Sequence, residues 1–138
     1  MLSAPPRPYF ENAVGRLYQH PDGFALFRFK PGKRTFLELQ GLLTQVRALL
    51  TRNSWHRFLA DQILLAPFTP EEAAWIVTHW STAAAQRPGG ICGAVVLAQD
   101  VFARLAMGQV AHQANAQGML FRLFETEAQA IAWLQQNA

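Results

Sequence analysis

Cysteine is nearly absent: Cys92 is the single thiol of the chain, so no internal disulfide forms and no thiolate cluster can gather a metal. It lies in the most apolar run, Ile91 to Ala98, where a lone cysteine is expected to serve as a small core residue. No apolar run is long enough for a membrane span, and no apolar segment follows a basic start as it would in a secretory signal. A soluble, cytoplasmic protein without an integral membrane segment is therefore expected. The histidines are scattered without a His-x-x-x-His pair, and no Gly-x-x-x-x-Gly-Lys loop is present, so neither a metal nor another cofactor is expected. Paired carboxylates for acid and base work are lacking, and Ser81 and Cys92 have no evident base beside them. The expectation is a protein that is not an enzyme.

What is present is apolar: 51% of residues are hydrophobic and 12% aromatic against 15% charged, too much burial potential for a disordered chain. The length suits one domain, set at residues 14–138 behind a flexible proline-rich arm at 1–13. Charge is uneven. Residues 1–57 hold nine Lys/Arg and three Asp/Glu, a balance of +6, whereas residues 58–138 hold three and six, a balance of −3. Glu71, Glu72, Asp100 and Glu127 fall at expected helix starts, where negative charge suits the helix dipole.

The stretch from Ile91 to Leu134 reads as strand, helix, strand, helix, and its continuous apolar strand belongs in a parallel sheet covered on both faces. Upstream, Val14–His20 and Phe24–Lys30 flank the turn Pro21-Asp22-Gly23 as a hairpin. Thr35 with Glu38 opens a helix with the stripe Phe36, Leu39, Leu42/Leu43, Val46 and Leu49/Leu50. Arg57–Asp61 is a short strand, followed by an apolar passage to Phe68. Thr69-Pro70-Glu71-Glu72 opens a second helix, with Ala73, Ile76/Val77, Trp80 and Ala84 inward and Trp75 and His79 on a neighbouring flank. In the third helix, capped by Asp100, Phe102, Ala106, Val110 and Ala114 share the expected core stripe. Thr126 with Gln129 starts the last helix. The fold class is α/β: a hairpin leading into a mostly parallel five-stranded sheet with about four helices.

This element order, together with Phe121-Arg-Leu-Phe-Glu-Thr-Glu-Ala-Gln-Ala-Ile-Ala-Trp-Leu134, resembles the STAS domain and most closely its SpoIIAA-like branch, over roughly residues 14–136. The resemblance implies a bacterial regulatory or binding domain that contacts a protein partner or a small anionic or lipid-like ligand. Its kinship with SEC14-like lipid-binding domains implies, as the alternative, a pocket for an apolar ligand. In phosphorylatable STAS domains an Asp-Ser-Ser-Gly-like segment precedes the second helix and carries the regulatory phosphate. Here Thr69-Pro70-Glu71-Glu72 stands at the matching place, without that serine or glycine.

Three sets of side chains follow as candidates. Thr69 is either a phosphoacceptor at a helix N-terminus or simply the helix cap. Phe68, Trp75, His79 and Trp80 are a partner or ligand surface, or else ordinary packing. Arg28, Lys30, Lys33 and Arg34 surround the Pro31-Gly32 turn and form either an anion patch or solvated charge. Nucleic acid is not an expected partner, since the basic residues lack interleaved exposed aromatics. A homodimer is compatible with the sequence.

Overall fold

Gly23 takes φ +84 and donates its N–H to the carbonyl of His20 at 3.0 Å, so the tight turn read from Pro21-Asp22-Gly23 joins β2 (Gly15–His20) to β3 (Phe24–Phe29). The computed structural model describes residues 7–138. The chain continues through α1 (Phe36–Asn53), β4 (Arg57–Asp61), α2 (Pro70–Ala85), β5 (Cys92–Val96), α3 (Val101–Ala116), β6 (Leu120–Phe124) and α4 (Glu127–Gln136). The α/β class and the hairpin-then-parallel order are as expected.

One strand more is present than the sequence suggested. β1 (Phe10–Glu11) pairs antiparallel with β2 through Phe10 with Leu17 and Glu11 with Arg16. The expected arm over residues 1–13 is thus part of the domain from Phe10, and residues 1–6 lie outside the described residues. Asn12 secures this segment: its Oδ1 accepts from the N–H of Val14, and its Nδ2 donates to the Glu38 carbonyl. Two residues hold no periodicity from which a strand could be read.

The sheet has six strands in the order β1-β2-β3-β4-β5-β6, antiparallel as far as β3 and parallel from there to β6. Strand order equals chain order. Crossovers of one hand that all advance in one direction fall on one face, and side chains of α1, α2 and α3 do share a single core with Phe27, Phe58, Val95 and Phe121. α4 alone covers the second face, where Ala130, Trp133 and Leu134 pack on Phe24, Leu26, Leu59, Cys92, Ala94 and Val96. Across the first face Phe58, Gly93 and Phe121 lie in one row. A Cβ on Gly93 would stand 2.6 Å from Phe58 Cζ and 2.9 Å from Phe121, so only glycine lets the two aromatic rings meet over the central strand.

Each helix starts on a side-chain cap. Thr69 and Glu72 form the full reciprocal box, Asp100 accepts from two amides, and Thr126 accepts from the Gln129 N–H. At α1 the box is half made: Thr35 accepts from the Glu38 N–H, and its hydroxyl donates to the Glu38 carboxylate, which does not reach back to the cap amide. The α1 stripe is buried as expected, each leucine contributing about 2 kcal/mol of apolar transfer. The α3 stripe is corrected by about a quarter turn: Ala103, Met107, Val110, Ala111 and Ala114 face inward, while Phe102 is 72% exposed and Ala106 only partly buried.

Candidate functional site

In a parallel sheet the strands finish, and the crossover helices begin, at one end. Here that carboxyl end gathers the residues singled out from the sequence, and their geometry differs from the expected sets in three respects.

The four cations of the basic turn are not a free anion patch. Arg28 Nη1 donates at 2.7 Å to Asp61 and at 2.7 Å to Glu127, and Lys30 pairs with Glu11 at 2.7 Å. Arg34 is clasped most fully. Its Nε and Nη2 donate to both oxygens of Glu72 at 2.9 and 2.8 Å, its remaining donors reach the Ala66 and Pro67 carbonyls, and its plane lies over the Phe68 ring. Burial works to raise the Glu72 carboxyl, but the Arg34 and Thr69 hydrogen bonds outweigh it and the net shift is downward. Only Lys33 of the four has no carboxylate partner among the described residues. The sequence could not show this, because the partners of Arg28 lie 33 and 99 residues away and that of Arg34 lies 38 away.

Thr69 is exposed and shares a shallow depression with Lys33 and Arg34, so the structure does bring the threonine and the basic turn together. Its own groups are engaged, however: Oγ1 accepts from the Glu72 N–H at 3.1 Å, and its N–H donates to the Glu72 carboxylate at 2.8 Å. A phosphate on Oγ1 would break the cap and meet that carboxylate.

Phe68, Trp75, His79 and Trp80 do not form one surface. Phe68 and Trp80 belong to the core, and Trp80 stacks on Phe58 at 4.6 Å. His79, expected on an outer flank, is buried between α1 and α2, where its Nε2–H donates to the Leu43 carbonyl at 3.0 Å. Burial pushes its pKa from 6.5 down to about 4. Trp75 alone reaches solvent, half-buried between the stacked ring of His79 and the edge of Phe36. The void that Phe68 and Trp80 help to line measures about 20 Å³, room for roughly one water. Gln62 borders it with an Oε1 that has no hydrogen-bond partner, while its Nε2 donates to Met107 Sδ.

Sequence reasoning missed the apolar character of this end. Among the described residues six large hydrophobics are exposed, and five of them sit here: Leu37 in the first turn of α1, Leu64 after β4, and Val101, Phe102 and Leu105 on α3. The three on α3 are spaced i, i+1 and i+4, hence contiguous on one helix flank. The signal was present in the sequence as a second set of apolar positions in α3, of which the expected stripe took in Phe102 alone and left Val101 and Leu105 unassigned.

Between β5 and β6 the connections leave for opposite faces, the usual position of a ligand crevice in such sheets. Arg104 and Glu125 bridge that gap at 2.5 Å, and Arg104 also donates to the Ala98 carbonyl. No group of three or more metal-ligating side chains occurs among the described residues, and no helix is long and apolar enough to cross a membrane. The chain matches no family model, no curated protein and no solved structure.

Proposed function

We propose that this chain is a non-enzymatic, cytoplasmic α/β binding domain of STAS-like type that engages a protein partner through the carboxyl end of its sheet. The observation that carries this reading is the exposed flank of Val101, Phe102 and Leu105, next to helix starts already fixed by caps and ion pairs. Apolar side chains displayed on a rigid frame lose little entropy on docking, and aromatic anchors contribute strongly once desolvated. The STAS-like part rests on the element order alone, a hairpin followed by alternating helices and strands. A SEC14-like pocket is less favoured, because the interior void is of water size.

A photoreactive residue in place of Phe102, irradiated in cells, tests the docking surface. The expected product is a discrete adduct identifiable by mass spectrometry and lost when Leu105→Glu is added, with the circular dichroism spectrum unchanged. An adduct with a second copy of this chain would redirect the reading to a homodimer through α3. No adduct, or one indifferent to Leu105→Glu, would overturn it.

A further inference from the structure

At the opposite, amino end of the sheet the charges are distributed differently. Of the nine carboxylate side chains, Asp22 alone sits there; the rest occupy the first turns of α1, α2 and α4, the cap of α3, and the ends of β1, β4 and β6. The amino end carries Arg47 and Arg52 from α1, Arg57 at the start of β4, and Arg87 beyond α2. Arg57 is buried and satisfied by the carbonyls of Leu134, Asp22 and Gly23. Arg52 lies against Tyr9, ring and hydroxyl both. Arg47 and Arg87 instead face one another's neighbourhood across a cleft of about 390 Å³, a volume within the roughly 300–1,000 Å³ of small-molecule sites.

The cleft is walled by the last turns of α1 and α2. Thr51, Ser54, His56 and Gln86 line it with the two arginines, over a floor that includes buried Ala83. Both guanidiniums are already oriented by neutral groups. Arg47 donates to the Gln86 side-chain carbonyl at 2.8 Å, and Arg87 donates to the Trp55 carbonyl at 2.5 Å and to Thr51 Oγ1 at 2.8 Å. Neither has a carboxylate partner among the described residues. Basic residues at helix C-termini do complement the helix dipole. That role accounts for Arg87 on the Trp55 carbonyl, but not for a second guanidinium whose charge opposes the first. Burial, and then the Arg47 charge, lowers the pKa of Arg87 below that of a free guanidinium. Two like charges held in one concave site leave a favourable place for a divalent oxyanion, which converts their repulsion into two charge-assisted hydrogen-bonded pairs.

We propose that the cleft between the C-terminal turns of α1 and α2 binds a phosphate monoester, with Arg47 and Arg87 holding the phosphate and Thr51, Ser54 and Gln86 facing the polar body attached to it. The volume exceeds what a bare oxyanion fills, and the side chains around the arginines are mostly polar, which selects a hydrophilic substituent over an apolar one. The site is independent of the partner surface at the other end. A phosphorylated small molecule and a phosphorylated lipid headgroup present the same chemistry.

The test uses the full chain, labelled with nitrogen-15, at low ionic strength. It is titrated with inorganic phosphate and with glycerol 3-phosphate, and floated with vesicles of phosphatidylcholine with and without phosphatidic acid. The expected result is saturable shifts confined to the Arg47 and Arg87 side chains and the amides of residues 51–56 and 86–87. The dissociation constant for the ester should be below about 1 mM, and binding at least about tenfold weaker in Arg47→Gln. Arg47→Gln is preferred to Arg87→Gln because Arg87 also ties the end of α1, and its amide spectrum verifies folding. Lys33→Gln, at the far end, leaves the affinity unchanged. Flotation with phosphatidic acid that Arg47→Gln abolishes would assign the headgroup as the source, and ester binding without flotation would assign a soluble one. Shifts that fail to saturate, or that are equal in Arg47→Gln, would overturn the proposal.

Discussion

His79 is a side chain whose position inverted its expected role. Set four residues from Trp75, it reads as half of an exposed aromatic pair, and the stacking between the two rings is indeed present at 4.6 Å. The helix flank carrying it faces α1, however, and the Leu43 carbonyl receives its Nε2–H. Such burial across 36 residues leaves no trace in local spacing. It does leave a trace in pH dependence. Folded His79 takes up a proton near pH 4 instead of 6.5, so over that interval the unfolded chain binds more protons. Stability is complete above 6.5 and falls as the pH is lowered, by about 2 kcal/mol between about pH 7.5 and about pH 5 from this group. Glu72, held below 4.5, adds its own loss only under that value. Urea denaturation at the two pH values should show the drop in the native chain and little of it in His79→Gln, which keeps a donor for Leu43. An equal drop in both would assign it elsewhere.

At the scale of elements, the helix starts and the hairpin turn were legible because they are fixed locally. Thr69, Asp100, Thr126 and Thr35 each cap the helix that follows, and Gly23 turns the hairpin. Facing directions were less legible, since α3 carries apolar residues on two sides and only docking selects Ala103 and Met107 over Phe102. The edge of the sheet offers an instance that sequence hides. Among the described residues β6 is the last strand of the sheet, and Asn115 from α3 supplies what a further strand would: its Oδ1 accepts the Phe121 N–H at 2.7 Å, and its Nδ2 donates to the Phe121 carbonyl at 3.1 Å. The neighbouring Met119 N–H is taken by the Ala114 carbonyl. An edge covered in this way resists pairing with another chain. Asn115→Ala should cost about 1–3 kcal/mol by leaving both groups of Phe121 unpaired. It should also introduce concentration-dependent association in sedimentation velocity. A variant that stays monodisperse and as stable as the native chain would show the cap to be dispensable.

For the whole molecule, the division of labour between two ends of one sheet is what the sequence concealed most. Nine basic residues in the first 57 suggested a basic half, yet the structure sorts charge by end, pairing Arg16, Arg28, Lys30 and Arg34 with carboxylates at the carboxyl end and leaving Arg47 and Arg87 together from positions 40 residues apart. The two faces are also unequal, three helices against one. Trp133 therefore carries a large share of the second face, packed with Phe124 at a ring distance of 5.7 Å. Trp133→Ala is expected to remove about 3–5 kcal/mol, measured by chemical denaturation. A loss under about 1 kcal/mol would mean that the α4 face closes without it.

Because strand order follows chain order, the sheet can also be assembled in the order of synthesis. Each parallel strand from β4 onward docks on the one made just before it, with no gap to be filled by a later segment. The first face gains its helices along the way, one between each pair of strands. The second must wait: Phe24, Leu26, Leu59 and Ala94 have no cover until the last element arrives. A nascent chain halted before Glu127 would thus present a finished layer backed by a bare apolar one, the kind of surface that chaperones bind and that aggregates form on.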